Sequence, residues 1–161
     1  MIQLKLKNKK GHFNVNSKEV KDILVIRQDI DYAQDISNSI NQENIMVFDC
    51  KLSESIFSKE LAMQIIEESL GEIDESFFEL LFEDVKAFLK DTTDEIEAEL
   101  QEIYLVDHIR CCTDIYSIND AFTDFKFVFV VSFKETTIAV LENLAKIVSK
   151  RQLVGASKYY C

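Results

Sequence analysis

Proline is absent from this chain of 161 residues, and glycine occurs only at positions 11, 71 and 155. So few chain-breaking residues predict mostly regular elements joined by short, polar turns. The glycine shortage also removes whole classes of chemistry. A P-loop, a dinucleotide fingerprint and a nucleophile elbow all need closely spaced glycines, because backbone must approach a phosphate or turn sharply. Histidine is scarce as well: His12 and His108 are the only two. Zinc hydrolases that pair histidines on one helix are therefore excluded. Apolar runs such as "FVFVVSF" fall far short of the ~20 residues a membrane span needs. The start, "MIQLKLKNKKGH", alternates apolar and basic residues without a signal-peptide core, so a cytoplasmic location is expected. Cys50, Cys111, Cys112 and Cys161 are too few for a secreted disulfide framework at this length. A bridge between the neighbours Cys111 and Cys112 would be strained, so reduced thiols are expected.

What is present describes a packed protein. Apolar residues make up 47% of the chain, and 12 Phe with 5 Tyr supply far more burial than a disordered segment carries. The length suits one domain, residues 1–161, since domains cluster at about 100–200 residues. "IQLKLK" and "HFNVN" alternate with period two around "NKKG" and predict an N-terminal hairpin. In the next stretch, Lys21, Asp22, Arg27, Asp29 and Asp31 would lie all round a single long helix. The pattern instead suggests a strand over "ILVI", a helix from about Asp31 to Asn41 and a strand over "IMVF". Asp31 and Gln34 would form its capping box, giving a β-α-β unit with parallel strands. A helical block follows. Ser58 is its first expected cap and Gly71 its first stop, Asp74 caps the next helix, and Thr92 with Glu95 forms a capping box for a further one. "FKFVFVVSF" places Phe125, Phe127, Phe129, Val131 and Phe133 on one face and Val128 and Val130 on the other, the mark of a central strand covered on both sides. Thr137 should cap a last helix, with Lys150 and Arg151 in its final turns and Gly155 ending it. The expected fold is α+β: a mixed sheet packed with an acidic helical block and a C-terminal helix.

Charge is the most uneven feature. The net charge is −11, and residues 51–110 hold 17 Asp and Glu against 5 Lys and Arg. The rest of the chain is nearly neutral. A field of this sign repels nucleic acid and anionic membranes and speeds encounter with basic partners. Glu95, Glu99 and Glu102 share a helical stripe opposite Ile96, Leu100 and Ile103, with no lysine at the spacing that would offset them. In "FFELLFEDVKAFLK", Glu79, Glu83, Lys86 and Lys90 form one narrow polar stripe. Phe77, Phe78, Leu80, Leu81, Phe82, Val85, Phe88 and Leu89 fill most of the remainder. Such a helix must be buried on more than one side, by its own core or by a second copy of the chain.

Two stretches resemble chemistry. "YLVDHIRCCTD", residues 104–114, gathers Asp107, His108, Arg110, Cys111 and Cys112. On a continued helix, His108 and Cys112 would make half a metal site at i and i+4, yet Asp107 would land on the apolar face. A helix end or a switch to strand removes that conflict and leaves buried thiols beside a hydrogen-bonded histidine. Separately, three apolar runs lead into Asp29, Asp49 and Asp107. Were all three parallel strands, their carboxylates would meet at one sheet edge and could hold Mg²⁺ for phosphoryl transfer or nuclease chemistry. Strand ends also carry Asp simply as turn chemistry. The reading favoured by composition and exclusion is a non-enzymatic, cofactor-free binding protein. Its acidic surface, centred on Glu79, Glu83, Glu95, Glu99 and Glu102, would meet a protein partner with a basic surface. Bacterial immunity proteins and phage-type inhibitors of nucleic-acid-handling enzymes are the classes that work this way. A subunit of a larger assembly, joined through the Phe77–Leu89 helix, is the remaining alternative.

Overall fold

The computed structural model describes residues 2–40, 42–53, 75–118 and 125–160, with the side chains of 75–78, 81 and 154–160 left out. In chain order its elements are β1 (Gln3–Asn8), β2 (Gly11–Asn16), α1 (Ser17–Ile26), β3 (Ile30–Asp35), a short 3-10 turn (Ser37–Ser39), β4 (Ile45–Leu52), α2 (Glu75–Tyr104), β5 (Arg110–Ile118), β6 (Phe125–Ser132) and α3 (Ile138–Tyr160). The fold is α+β, with two antiparallel sheets: the β1–β2 hairpin and a four-stranded sheet ordered β3-β4-β6-β5.

The hairpin forms where the alternation places it. Leu4, Leu6, Phe13 and Val15 pack into the core, while Lys5, Lys7, His12 and Asn14 face outward. Gly11 carries φ +122°, a conformation that side chains resist, so the turn needs glycine there. The Asn8 side chain accepts from the Lys10 amide at 2.8 Å and donates to the Tyr104 carbonyl at 2.6 Å. One residue thus shapes the turn and caps the end of α2.

The next segment departs from expectation. "ILVI" is the last turn of α1 and not a strand, and Asp31 lies in β3 and not at a helix start. An upstream N-cap at Asn16 starts the helix earlier. Asn16 Oδ1 accepts from the Glu19 amide at 2.9 Å, and Asn16 Nδ2 donates to Glu19 Oε1 at 3.1 Å. From that start, Val20 and Leu24 fall four apart on the buried face, leaving Ile26 exposed. The Asp31–Gln34 box is unused; Asp35 instead accepts from the Ser37 amide at 2.9 Å and begins the 3-10 turn. The parallel β-α-β unit is likewise replaced by an antiparallel β3–β4 pair running from Ile30↔Leu52 to Asp35↔Phe48. With β3 at 30–35, the link to β4 is shorter than the dozen or more residues a parallel crossover requires.

In the acidic block, α2 runs unbroken from Glu75 through Thr92 and Thr93 to Tyr104, so the Thr92–Glu95 capping box does not start a new helix. The Thr93 hydroxyl donates back to the Leu89 carbonyl at 2.6 Å. Val85, Leu89, Thr92, Ile96 and Leu100 keep one buried face continuous across the threonines, and that packing outweighs their weak helix propensity. The expected caps Ser58 and Asp74 and the stop at Gly71 lie outside the described residues. Leu105, at φ 55°, ends the helix. Thr137 caps α3 as expected, its hydroxyl accepting from the Val140 amide at 3.3 Å. That helix passes through Gly155 to Tyr160. A lone glycine costs a helix only about 1 kcal/mol relative to alanine, and no proline follows to stop it.

Strand β6 is central, as its double-sided pattern implies. Phe125, Phe127, Phe129 and Val131 join a cluster built with β1–β2, α1 and α2, whereas Val128 and Val130 meet Leu141, Ala145 and Val148 of α3. No helix among the described residues is long and apolar enough to cross a membrane.

Candidate functional site

The glutamates of α2 flank its buried face, Glu79 and Glu83 on one side and Glu95, Glu99 and Glu102 on the other. Glu79, Glu83, Glu95, Glu99 and Glu102 are all exposed along one helix of 30 residues, about 45 Å at 1.5 Å per residue. Their partners differ. Glu83 lies 3.7 Å from Lys86, and Lys90 lies 3.5 Å from Asp94. Glu95 has a partner that local spacing conceals: Arg27, from the turn after α1, bonds to its carboxylate. Among the described residues, Glu79, Glu99 and Glu102 form no ion pair. In the Phe77–Leu89 stretch, Val85 and Leu89 are buried and Phe82 and Phe88 half-buried, while Leu80 is 57% exposed.

Residues 104–114 do not build the helical metal half-site that their spacing suggests. The helix ends at Tyr104 and β5 begins at Arg110, so His108 and Cys112 never share a helical face. His108 Nε2 sits 2.9 Å from the Phe133 carbonyl. Cys111 and Cys112 point to opposite faces of the sheet, one into each core cluster. Burial, then the nearby Glu97, pushes the Cys111 thiol well above its usual range. Burial, then Glu142 and Asp114, raises Cys112 to about 11. Burial and then Asp49 raise Cys50 too. These thiols are poor nucleophiles, since reactivity requires the thiolate.

The aspartates also part company. Asp29 lies in the turn before β3, Asp49 within β4 and Asp107 in the turn after α2. The parallel strands that would have gathered them are absent from the described sheet, which is antiparallel throughout. Asp49 accepts from the Tyr116 hydroxyl at 2.6 Å, and the Asp107 carbonyl accepts from the Gln101 side chain at 3.2 Å. Among the described residues, no group of three His, Cys, Asp or Glu is arranged to hold a metal ion.

What the fold does build is a groove of about 1380 Å³ between α2, β5 and the start of α3. Its lining includes Cys111 and Thr113, which face α2, and also Cys112 and Asp114, which face α3. A cavity touching both faces of one strand must straddle the sheet's edge, and β5 is an edge strand. Asp94 and Glu97 stand on the α2 wall, Glu142 on the α3 wall and Asp114 on the floor. Seven carboxylates line the groove against Lys86, Lys90 and Arg110, and both lysines are already paired with acids. Glu97 accepts the Cys111 amide at 2.9 Å, and Gln101 Nε2 donates to the Ile109 carbonyl at 2.8 Å. Sequence reasoning missed Glu97, Asp114 and Glu142. Glu97 lies in the acidic block but off the Glu95–Glu99–Glu102 stripe, Asp114 closes the 104–114 stretch as one of its unassigned residues, and Glu142 is distant in sequence.

The chain matches no protein-family model, no curated protein and no solved structure.

Proposed function

We propose that this protein is a non-enzymatic binding protein whose α2 carboxylates dock a protein with a basic surface. The observation that carries this reading is that Glu79, Glu99 and Glu102 stand exposed on α2 and form no ion pair among the described residues. Like charges at helical spacing cost about 0.2–0.5 kcal/mol per pair, and the described fold recovers none of that from these three. A basic partner would. The class most compatible with such a surface is an inhibitor or immunity-type protein that occupies the basic cleft of a nucleic-acid-handling enzyme. Carboxylates there would stand in for phosphates.

The test is affinity capture from cell extract with the parent and with a variant in which Glu79, Glu83, Glu99 and Glu102 are all glutamine. A basic protein captured by the parent should associate with the variant about tenfold more slowly at low ionic strength. Salt should close that gap, because exposed charges are screened within ~8–10 Å. Equal association rates at low salt would show the face to be merely solvated.

A further inference from the structure

We infer that the edge of β5 around Thr113 and Ile115, unpaired among the described residues, accepts an extended, Lys- or Arg-bearing segment of another protein as a further strand of the sheet, an inference that rests on the preceding reading of a basic protein partner.

Three independent bonds establish which backbone groups face the groove. The Cys111 amide donates to Glu97 and the Ile109 carbonyl accepts from Gln101, so odd-numbered residues at the start of β5 point away from β6. From the other side, the Phe133 amide donates to the Asn44 carbonyl at 2.9 Å, which directs odd-numbered residues of β6 toward β4 and even-numbered ones toward β5. The pairs Arg110↔Ser132, Cys112↔Val130 and Asp114↔Val128 therefore carry the β5–β6 bonds. Thr113 and Ile115 are left with outward backbone groups. Among the described residues, the Thr113 amide and both backbone groups of Ile115 have no partner off the sheet, and the Thr113 carbonyl has only the weak Cys112 thiol at 3.9 Å. Unpaired strand edges are templates for another strand, and proteins that do not use them blunt them.

The opposite edge shows such blunting. Strand β3 has six residues, a register shift between Ile30 and Tyr32, and Asp31 and Asp35 along its length. Strand β5 stays regular from Arg110 to Ile115 before its own shift, about 20 Å at 3.3–3.4 Å per residue. Because Glu97 and Gln101 already occupy the outward groups of Cys111 and Ile109, the open part of that edge is centred on Thr113 and Ile115, room for a short segment of about four residues.

Charge selects the occupant. Side chains of an added strand would alternate between the α2 wall, with Asp94 and Glu97, and the α3 wall, with Glu142 above Asp114. Basic side chains of either parity would thus find a carboxylate. A second copy of this chain would bring the same carboxylates edge to edge, with a net charge of −11 on each molecule. Repulsion disfavours that pairing.

The experiment uses the whole chain and two blocked nine-residue peptides, one alternating lysine with threonine and one alternating glutamate with threonine. Binding is followed by calorimetry, and amide hydrogen exchange by NMR. The parent should bind the lysine peptide and not the glutamate peptide, with the Thr113 and Ile115 amides gaining protection. Thr113→Pro deletes an outward amide that the sheet itself does not use, and should weaken binding at least about tenfold, the effect of roughly one hydrogen bond plus a steric block. Thr113→Val keeps the amide and should bind as the parent does. The exchange measurement on the parent decides the question even if the proline variant folds poorly. Binding without protection of Thr113 and Ile115, or unchanged in Thr113→Pro but lost in the four-glutamine α2 variant, would overturn the strand addition and leave the acidic-face reading standing. No binding of the lysine peptide would also overturn it, and partner capture would then judge the broader reading alone. A parent dimer in ultracentrifugation that Thr113→Pro dissociates would make a second copy the occupant instead.

Discussion

The two faces of the four-stranded sheet are packed very differently. One face meets the hairpin, α1 and α2 in a cluster of 21 buried residues, including Phe48, Phe125, Phe127 and Phe129. Among the described residues, the other meets α3 through a smaller cluster of 7 buried residues, with Ile36, Ile40 and Tyr116 packed against it. Burial free energy scales with apolar area, at about 25 cal/mol per Å², so the first face dominates cohesion. The thinner face has its own polar tie: the buried Ser37 hydroxyl accepts from the Val47 amide at 2.9 Å and donates to its carbonyl at 3.3 Å. The groove opens where the two faces meet β5, an edge strand of the described sheet.

The comparison can be broken most directly at its centre. Phe127→Ala should cost about 3–5 kcal/mol in denaturant unfolding, the range for a fully buried phenylalanine. Leu141→Ala, on the α3 face, should cost less, about 2–3 kcal/mol within the wider range for buried leucines. Equal losses would mean that the two faces contribute alike. Ser37→Ala strands the buried Val47 amide, while the Val47 carbonyl keeps the Ile36 amide at 2.9 Å, and should lose about 1–3 kcal/mol. A loss below half a kcal/mol would show that β4 does not depend on that tie.

The cysteines sharpen the contrast at smaller scale. Cys112 has a folded pKa near 11, raised above its usual 9.0 by burial and then by Glu142 and Asp114. A raised pKa means the unfolded chain releases its proton first. The associated stability is therefore complete below pH 9 and is lost as pH climbs toward 11. Denaturant midpoints should fall across that window in the parent, and less in Cys112→Ser. A thiol reagent at pH 8 should modify Cys112 slowly and Cys111, on the thicker face, more slowly still. The smallest effects belong to α2. Glu95→Gln removes one of the two carboxylates paired with Arg27, leaving Asp29 at 4.0 Å, and should cost at most about 1 kcal/mol. Glu99→Gln should be neutral or stabilising by about 0.2–0.5 kcal/mol, because it relieves a like charge. A clear loss at Glu99 would reveal a structural role for that carboxylate.

Much of this was legible from local pattern. The hairpin, the central strand β6, the cap at Thr137 and the exposed glutamates of α2 each follow from a period, a cap or a spacing within one segment. The strand over "IMVF" forms as β4, but residues 17–41 depart from the expected pattern because an N-cap at Asn16 competes with an equally plausible one at Asp31. Only the placement of Ile30 and Ala33 against β4 selects the first. The break expected at Thr92 failed for a related reason, since a continuous buried face overrides two weak helix formers. Neither outcome violates the local rules; tertiary burial chose between local options of similar energy.

By itself, then, the sequence determined the charge, the apolar periods and the absence of glycine-built phosphate sites, because these depend on residues near one another in the chain. Strand order is a different kind of property. That β5 lies at an edge, that Glu97 and Glu142 flank it from opposite sides and that Arg27 reaches Glu95 are pairings across 14 to 68 positions. Such long-range partners are selected by which surfaces bury together, and no local period encodes that choice.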